Sequence, residues 1–218
     1  MWPEESRSRV DAPGVVALDQ LAARLAAAAP TLRVEPASTA TELDAVFRLR
    51  YEHVVARGWA NAEKLAGGVE EDAYDTGAVQ LAAWDGPVLI GTVRLVPPRA
   101  DRPLPVEAAF GVEIEPRGCV VEVGRLLIAD SRRGDPAHRA WGALFAHAWT
   151  QVRNHGFVVM AGVASERLVA RYHALGLPFE ILGPARPYWG EQRHPVRLDP
   201  ALAARPTWFD EADRAARG

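Results

Sequence analysis

The sequence predicts an α/β (α+β) fold: a single domain built on one mixed, twisted sheet flanked by helices. Three observations carry that expectation. Residues 78–84 and 88–96 are two strand-like runs joined at Asp85-Gly86, a strong short-range hairpin signal. Residues 119–128, Cys-Val-Val-Glu-Val-Gly-Arg-Leu-Leu-Ile, form a β-branched, apolar run expected at the centre of the sheet. It leads through a polar turn into 136–154, where Trp141, Leu144, Phe145, Ala148, Trp149 and Val152 recur at helical spacing. With 218 residues, 49% hydrophobic and 24% charged, the chain can bury a real core without needing a second domain.

Taken in order, residues 1–30 read as an N-terminal extension whose Ala- and Leu-rich helix, 15–29, stops at Pro30. The main domain is expected over 31–200 and a tail over 201–218. Leu32 to Glu35 reads as a first strand. Thr39-Ala-Thr-Glu42 then matches a capping box and opens a helix to Arg57, ended by Gly58-Trp59. Residues 60–77 lack periodicity and carry Glu70, Glu71, Asp72 and Asp75, which predicts a mobile acidic segment. After the hairpin comes a proline-rich crossing, 97–105, and residues 106–118 fit no single pattern. Asp135 is the expected cap of the 136–154 helix, with Pro136 at its first position and Gly156 as its stop. A short strand at 157–163, a helix capped by Ser165 and ended by Gly176, and strands at 178–182 and 188–198 complete the reading.

Charges in apolar surroundings mark the candidate site. Arg50 falls on the apolar stripe of the 39–57 helix, and Arg94 shares a strand face with Val88, Ile90, Thr92 and Val96. Glu122 and Arg125 interrupt the 119–128 strand, where a buried charge is costly unless it is paired or can neutralise itself. Residues three apart lie on opposite strand faces. A bulge at Gly124 would turn both toward one cleft, where they would meet each other or a substrate.

The order helix, hairpin, strand, helix, strand, helix, strand pair resembles the GNAT acyltransferase fold. More specifically, Phe47-Arg-Leu-Arg50, Gly58-Trp59, Asp72 with Asp75, Arg94 in Gly91-Thr-Val-Arg-Leu95, and Glu122 with Arg125 resemble the acyl-homoserine-lactone synthases and the long-chain N-acyl amino acid synthases. Val54 stands where those families usually have Phe, and Trp59 comes one residue early. Both positions contact the amine substrate in lactone synthases, which weakens the implication of S-adenosylmethionine use. The resemblance implies a bacterial N-acyltransferase that moves a fatty acyl group from an acyl carrier protein or acyl-CoA to the amine of an amino acid or related small molecule. Its alternatives are an autoinducer (acyl-homoserine-lactone) synthase, an acetyl-CoA-dependent acetyltransferase and a non-catalytic binding module.

Acyl transfer to an amine needs a proton acceptor and donors for the oxyanion. Glu122 is the candidate base, with Arg125 beside it. Arg50, Trp59, Asp72, Asp75 and Arg94 are the candidate substrate-binding residues, although the two aspartates could equally lock Arg50 and Arg94 in place. Trp141, Phe145 and Trp149 are the candidate acyl pocket, on what is otherwise a core stripe. Acetyltransferases of the fold usually carry an Arg/Gln-x-x-Gly-x-Gly/Ala run for a coenzyme A pyrophosphate. Arg133-Gly-Asp-Pro-Ala137 departs from it, which favours acyl carrier protein.

The remaining features exclude other classes. A net charge of −3, with dispersed Lys and Arg, argues against a nucleic-acid partner. The single cysteine, Cys119, permits no intramolecular disulfide and reads as a small buried side chain. No run of 18 apolar residues and no secretory start occur, so a cytoplasmic protein without a membrane span is expected. His138, His147 and His155 have no acid or cysteine at metal-ligand spacing, and neither a metal nor a tightly bound cofactor is expected. No GxSxG motif suggests a covalent acyl-enzyme.

Overall fold

The computed structural model describes residues 11–132 and 134–202. Eight strands form one mixed sheet: β1 (Leu32–Pro36), β2 (Val79–Asp85), β3 (Val88–Val96), β4 (Val120–Ile128), β5 (Val159–Ala164), β6 (Phe179–Ile181), β7 (Arg186–Tyr188) and β8 (Glu191–Leu198). Their order is β1-β2-β3-β4-β5-β8-β6, with β7 on β8. The β4–β5 pair is parallel and the others are antiparallel. This is a GNAT-like architecture in a single domain, with β4 central.

Among the described residues five α-helices cover the sheet: α1 (Pro13–Ala27), α2 (Ala40–Ala56), α3 (Pro105–Phe110), α4 (Asp135–Asn154) and α5 (Glu166–Ala174). On β3, Gly91 lies under Leu144 of α4, where an added Cβ would be only 2.9 Å from the leucine methyl. Thr92, Arg94 and Val96 therefore face the other way, toward α2. The sheet divides the molecule into an apolar side and a side with buried charges. Helix α1, expected as part of an extension, packs on α4 and places Val15, Leu18 and Ala22 in the main core.

Several local expectations need correction. The hairpin turns on Gly86-Pro87, because Asp85 still pairs with Val88; Gly86 takes the positive φ that the first turn position requires. Gly134, not Asp135, caps α4, and Asp135 is its first residue. Residues 105–110 are helical: Pro105 opens α3, Gly111 ends it at φ 63°, and the Glu107 carboxylate accepts the N–H groups of Leu104 and Ile114. The last run is a hairpin, because the chain reverses at Trp189-Gly190 between β7 and β8. Cys119 is half-buried. Arg133 lies outside the described residues, as do most of the 201–218 tail and residues 1–10.

Candidate active site

The expected bulge is present, displaced by one residue. Between the pairs Thr92↔Leu127 and Arg94↔Gly124, two β4 residues oppose Val93 alone. The positive φ falls on Arg125, at 53°, and not on Gly124. A left-handed conformation costs a residue with a side chain about 1–2 kcal/mol. Glu122 and Arg125 nevertheless do not pair; each is held by a different group.

Arg125 belongs to a buried ionic platform of three arginines and three acids. Arg50, with no accessible side-chain surface, donates Nε to Glu70 at 2.5 Å and its two terminal nitrogens to Asp75 at 2.8 and 3.1 Å. Arg94, 1% accessible, donates to Asp72 at 2.7 Å and to Asp75 at 3.0 Å. Arg125 donates to Glu70 at 3.0 Å and to Asp72 at 3.1 Å. Gln80 and the backbone N–H of Asp72 complete the shell of Asp75. Burial pushes the Asp75 carboxyl up, but the fork of Arg50 outweighs it and brings the group down to about 2. Glu70 is likewise lowered: burial opposes ionisation, and Arg50 and Arg125 overcome it.

The 60–77 segment is thus folded inward at Glu70 and Asp75, against the expectation of a loose acidic stretch. Arg50, Arg94 and Asp75 are enclosed and turned toward one another, so as substrate-binding candidates they are out of reach of a ligand. Asp72, 33% accessible, remains open to one.

Glu122 stands beside this platform without joining it. Its side chain is 4% accessible on a residue basis, and its hydrogen-bond partner is the backbone N–H of Val106 on α3, at 2.7 Å. Burial pushes its carboxyl up to about 7, while the Val106 N–H, Arg94 and Arg125 pull it down only in part. Next to it the sheet opens. The β4–β5 ladder runs through Val120↔Val159, Val121↔Met160 and Glu122↔Ala161 and stops there. At the divergence, Gly162 approaches Val123 so closely that a Cβ would lie 2.7 Å from the Val123 carbonyl oxygen.

Aromatic rings wall the site. Trp189, at the β7–β8 turn with φ 49°, lies over the Arg125 guanidinium, 4.6 Å from ring centroid to carbon. Among the described residues, Arg125 and Trp189 are the two non-glycine residues with positive φ, and they stack on each other. Trp59, Lys64, Leu65, Tyr188 and Trp189 line a shallow hollow of about 470 Å³. Trp59 packs edge-on against His53, whose imidazole is held down to about 4 by burial and Arg57.

The acyl-pocket candidates separate. Trp149 is sealed in the core and donates its indole N–H to Asp19 of α1 at 2.7 Å, so it is unavailable to an acyl chain. Trp141 and Phe145 instead stack at 5.5 Å and continue through Tyr172 to Phe179. Sequence reasoning did not single out Glu70, Gln80, Trp189 or Arg193. Among the described residues no cluster of His, Cys, Asp and Glu could hold a metal ion, and no helix is long and apolar enough to cross a membrane.

The acetyltransferase (GNAT) domain family matches residues 49–141, from the α2 stripe that carries Arg50 to the start of α4. Among solved structures, FeeM, an N-acyl amino acid synthase from uncultured soil microbes, is similar with a TM-score of 0.64 at 18% identity, over 83% of this chain and 97% of that one. LasI, an acyl-homoserine-lactone synthase, gives 0.65 at 16% identity, over 80% and 92%. BjaI, a CoA-dependent acyl-homoserine-lactone synthase solved with S-adenosylmethionine and isopentyl-CoA, gives 0.59 at 25% identity, over 80% and 82%. No curated protein matches the chain. The match to the acetyltransferase domain, with BjaI at 25% identity, indicates an enzyme that transfers acyl groups; FeeM and LasI show the fold alone.

Proposed function

We propose that this protein is an N-acyltransferase that moves a fatty acyl group from an acyl carrier protein thioester, or an acyl-CoA, to the amine of an amino acid or related small molecule. The observation that carries the reading is Glu122: a buried carboxyl near pH 7, held by one backbone donor, at the point where β4 and β5 part. A thioester laid into that opening would present its carbonyl carbon beside the carboxylate. As the amine nitrogen attacks, its proton passes to Glu122. The tetrahedral intermediate then collapses, the C–S bond breaks, and the released thiolate takes a proton to become the thiol. A base poised near the working pH suits this step. Backbone N–H groups of β4 at the bulge are the candidate oxyanion donors.

For the donor, acyl carrier protein is favoured because α4 opens with an acid, Asp135, where a coenzyme A pyrophosphate would need a positive helix end. Side-by-side kinetics test this, with faster turnover expected on a long-chain acyl carrier protein than on acetyl-CoA; the reverse preference would overturn it. The likeness to LasI and BjaI supports a second reading, lactone synthesis. Against it, the Trp59–Trp189 hollow has Lys64 as its one charged lining residue and no carboxylate to meet a sulfonium. Release of methylthioadenosine from S-adenosylmethionine would favour the second reading, and an N-acyl amino acid in lipid extracts of expressing cells would favour the first.

A further inference from the structure

Three glycines lie within strands around the site, and packing explains two of them. Gly91 and Gly162 have no room for a side chain: a Cβ would meet the Leu127 carbonyl oxygen at 2.9 Å in the first case and the Val123 carbonyl oxygen at 2.7 Å in the second. Gly124 is different. Its φ lies outside the positive range, so a residue with a side chain can adopt its backbone. Apart from its two chain neighbours, the one described atom within 4 Å of an added Cβ is Oε1 of Glu122, at 3.6 Å, an ordinary contact. A glycine inside a strand weakens it, because ordering the residue costs more entropy and it packs against nothing. The fold would therefore gain from alanine at 124. The two oxygens of Glu122 are also unequal. Oε2 accepts the Val106 N–H at 2.7 Å, whereas Oε1 has no hydrogen bond among the described residues and lies over Gly124. Gly124 is half-buried, at the point where the β4–β5 ladder has already ended. Arg94, its partner across the β3–β4 ladder, gives its hydrogen bonds to Asp72 and Asp75.

We propose that Gly124 is a positioning residue for the transfer step: by carrying no side chain it lets the attacking amine nitrogen reach Oε1 of Glu122. The proposal rests on the N-acyltransferase reading and adds to it the residue that admits the nucleophile. As the C–N bond forms at the thioester carbonyl carbon, the N–H bond breaks and its proton goes to Oε1, while Oε2 stays on the Val106 N–H. That transfer needs nitrogen and oxygen within about 2.6–3.2 Å of each other. A methyl group at 124 would stand 3.6 Å from Oε1, in the approach the nitrogen must use. Its crowding falls hardest on amines branched at the carbon next to nitrogen. Gly124 thus trades strand stability for access to the base.

The test compares wild type with Gly124→Ala and Gly124→Val by thermal melting, by carbon-13 titration of the Glu122 carboxyl and by turnover, with a long-chain acyl carrier protein as donor. The acceptors are glycine and ethanolamine, unbranched beside nitrogen, and leucine and tyrosine, branched there. Gly124→Ala should melt level with wild type or about 1–3 °C above it. It should nevertheless lose on the order of 10- to 100-fold in kcat, more on the branched amines, with the donor KM unchanged. Gly124→Val should lose more still. A glycine needed only for the backbone of the bulge would give the reverse, a lower melting temperature with turnover intact, and that result would overturn the proposal. So would an equal loss on branched and unbranched amines, or a raised donor KM, which would place the thioester and not the amine over Gly124. If wild type acylates none of these amines, the underlying reading fails and the titration decides Gly124 by itself. Side chains that displace solvent from Oε1 should raise the Glu122 midpoint stepwise from wild type through alanine to valine. The other groups that act on Glu122, the Val106 N–H, Arg94, Arg125, Asp72 and Tyr74, are untouched by the exchange. Coincident midpoints would refute the proposal.

Discussion

Two sets of buried carboxylates lie side by side in this protein and behave in opposite ways. Glu70 and Asp75 are enclosed with guanidinium forks against them and are held in the ionised form. Glu122, just as buried, meets one backbone N–H and is pushed up to about 7. Burial alone raises all three; what differs is the supply of opposite charge. The hydrogen bonds that the three arginines make go to the three acids and none reaches Glu122, although the Nε of Arg94 is left without a partner. A balanced buried cluster makes a rigid floor, while the group left out of the balance acquires a proton affinity suited to chemistry.

The largest expected effect breaks the comparison on the Glu122 side. Glu122→Gln keeps the shape and the Val106 hydrogen bond but removes proton acceptance, and turnover should fall about 100- to 10,000-fold with donor binding unchanged. Steady-state kinetics together with a donor-binding titration would reveal it. A folded variant with near-normal turnover would remove Glu122 as base.

On the platform side the loss should be structural. Arg50→Ala leaves Glu70 and Asp75 buried without their main partner, and Arg125→Ala takes the second guanidinium from buried Glu70 and one of two from the partly open Asp72. Each should cost roughly 3–5 kcal/mol, read from urea unfolding. A cost near zero for Arg50→Ala would show that the cluster is not the floor of the site.

The two sides also predict opposite pH dependences. Asp75 has a folded value below its ordinary one, so the stability it contributes is present above about pH 4 and is lost as pH falls toward 2. Glu122 has a folded value above its ordinary 4.5, so the folded state binds the extra proton, and stability declines as pH rises from about 4.5 through 7. A rise to about 7 corresponds to about 3 kcal/mol. Glu122→Gln should therefore be more stable than wild type at pH 8 and nearly equal to it at pH 4. Unfolding curves at the two pH values check this, and a variant no more stable at pH 8 would contradict it.

The smallest effect concerns the lid over the platform. Trp189→Ala removes a cation–π contact with Arg125 worth roughly 0.5–2 kcal/mol but leaves a residue with a side chain at positive φ, so melting should shift by only a few degrees. The acceptor KM should rise more visibly than the donor KM.

The sequence revealed these regions unequally. Arg50, Arg94, Glu122 and Arg125 were legible because each is a charge at an apolar position of a periodic element, where side-chain direction follows from 3.6- or 2-residue spacing. Glu70 was not, because the 60–77 segment has no period; its inward turn is set by a backbone contact, Glu70 N–H to the Phe47 carbonyl at 3.0 Å. Trp189 defeated the turn rules, which expect Asn or Gly at a left-handed hairpin position. The helix at 105–110 was in fact readable from Pro105, Glu107 and Gly111, a short instance of ordinary start and stop signals. Trp149 fitted both a core stripe and an acyl wall, and only its hydrogen bond to Asp19, 130 positions away, separates the two.

The proton affinity of Glu122 in the folded protein decides whether it is the base, and carbon-13 NMR of the side-chain carboxyl, assigned through Glu122→Gln, measures it. A midpoint near pH 7 is expected for this resonance, matched by a rise of kcat/KM over the same range. A midpoint near 4.5, or an activity profile flat across neutrality, would contradict it.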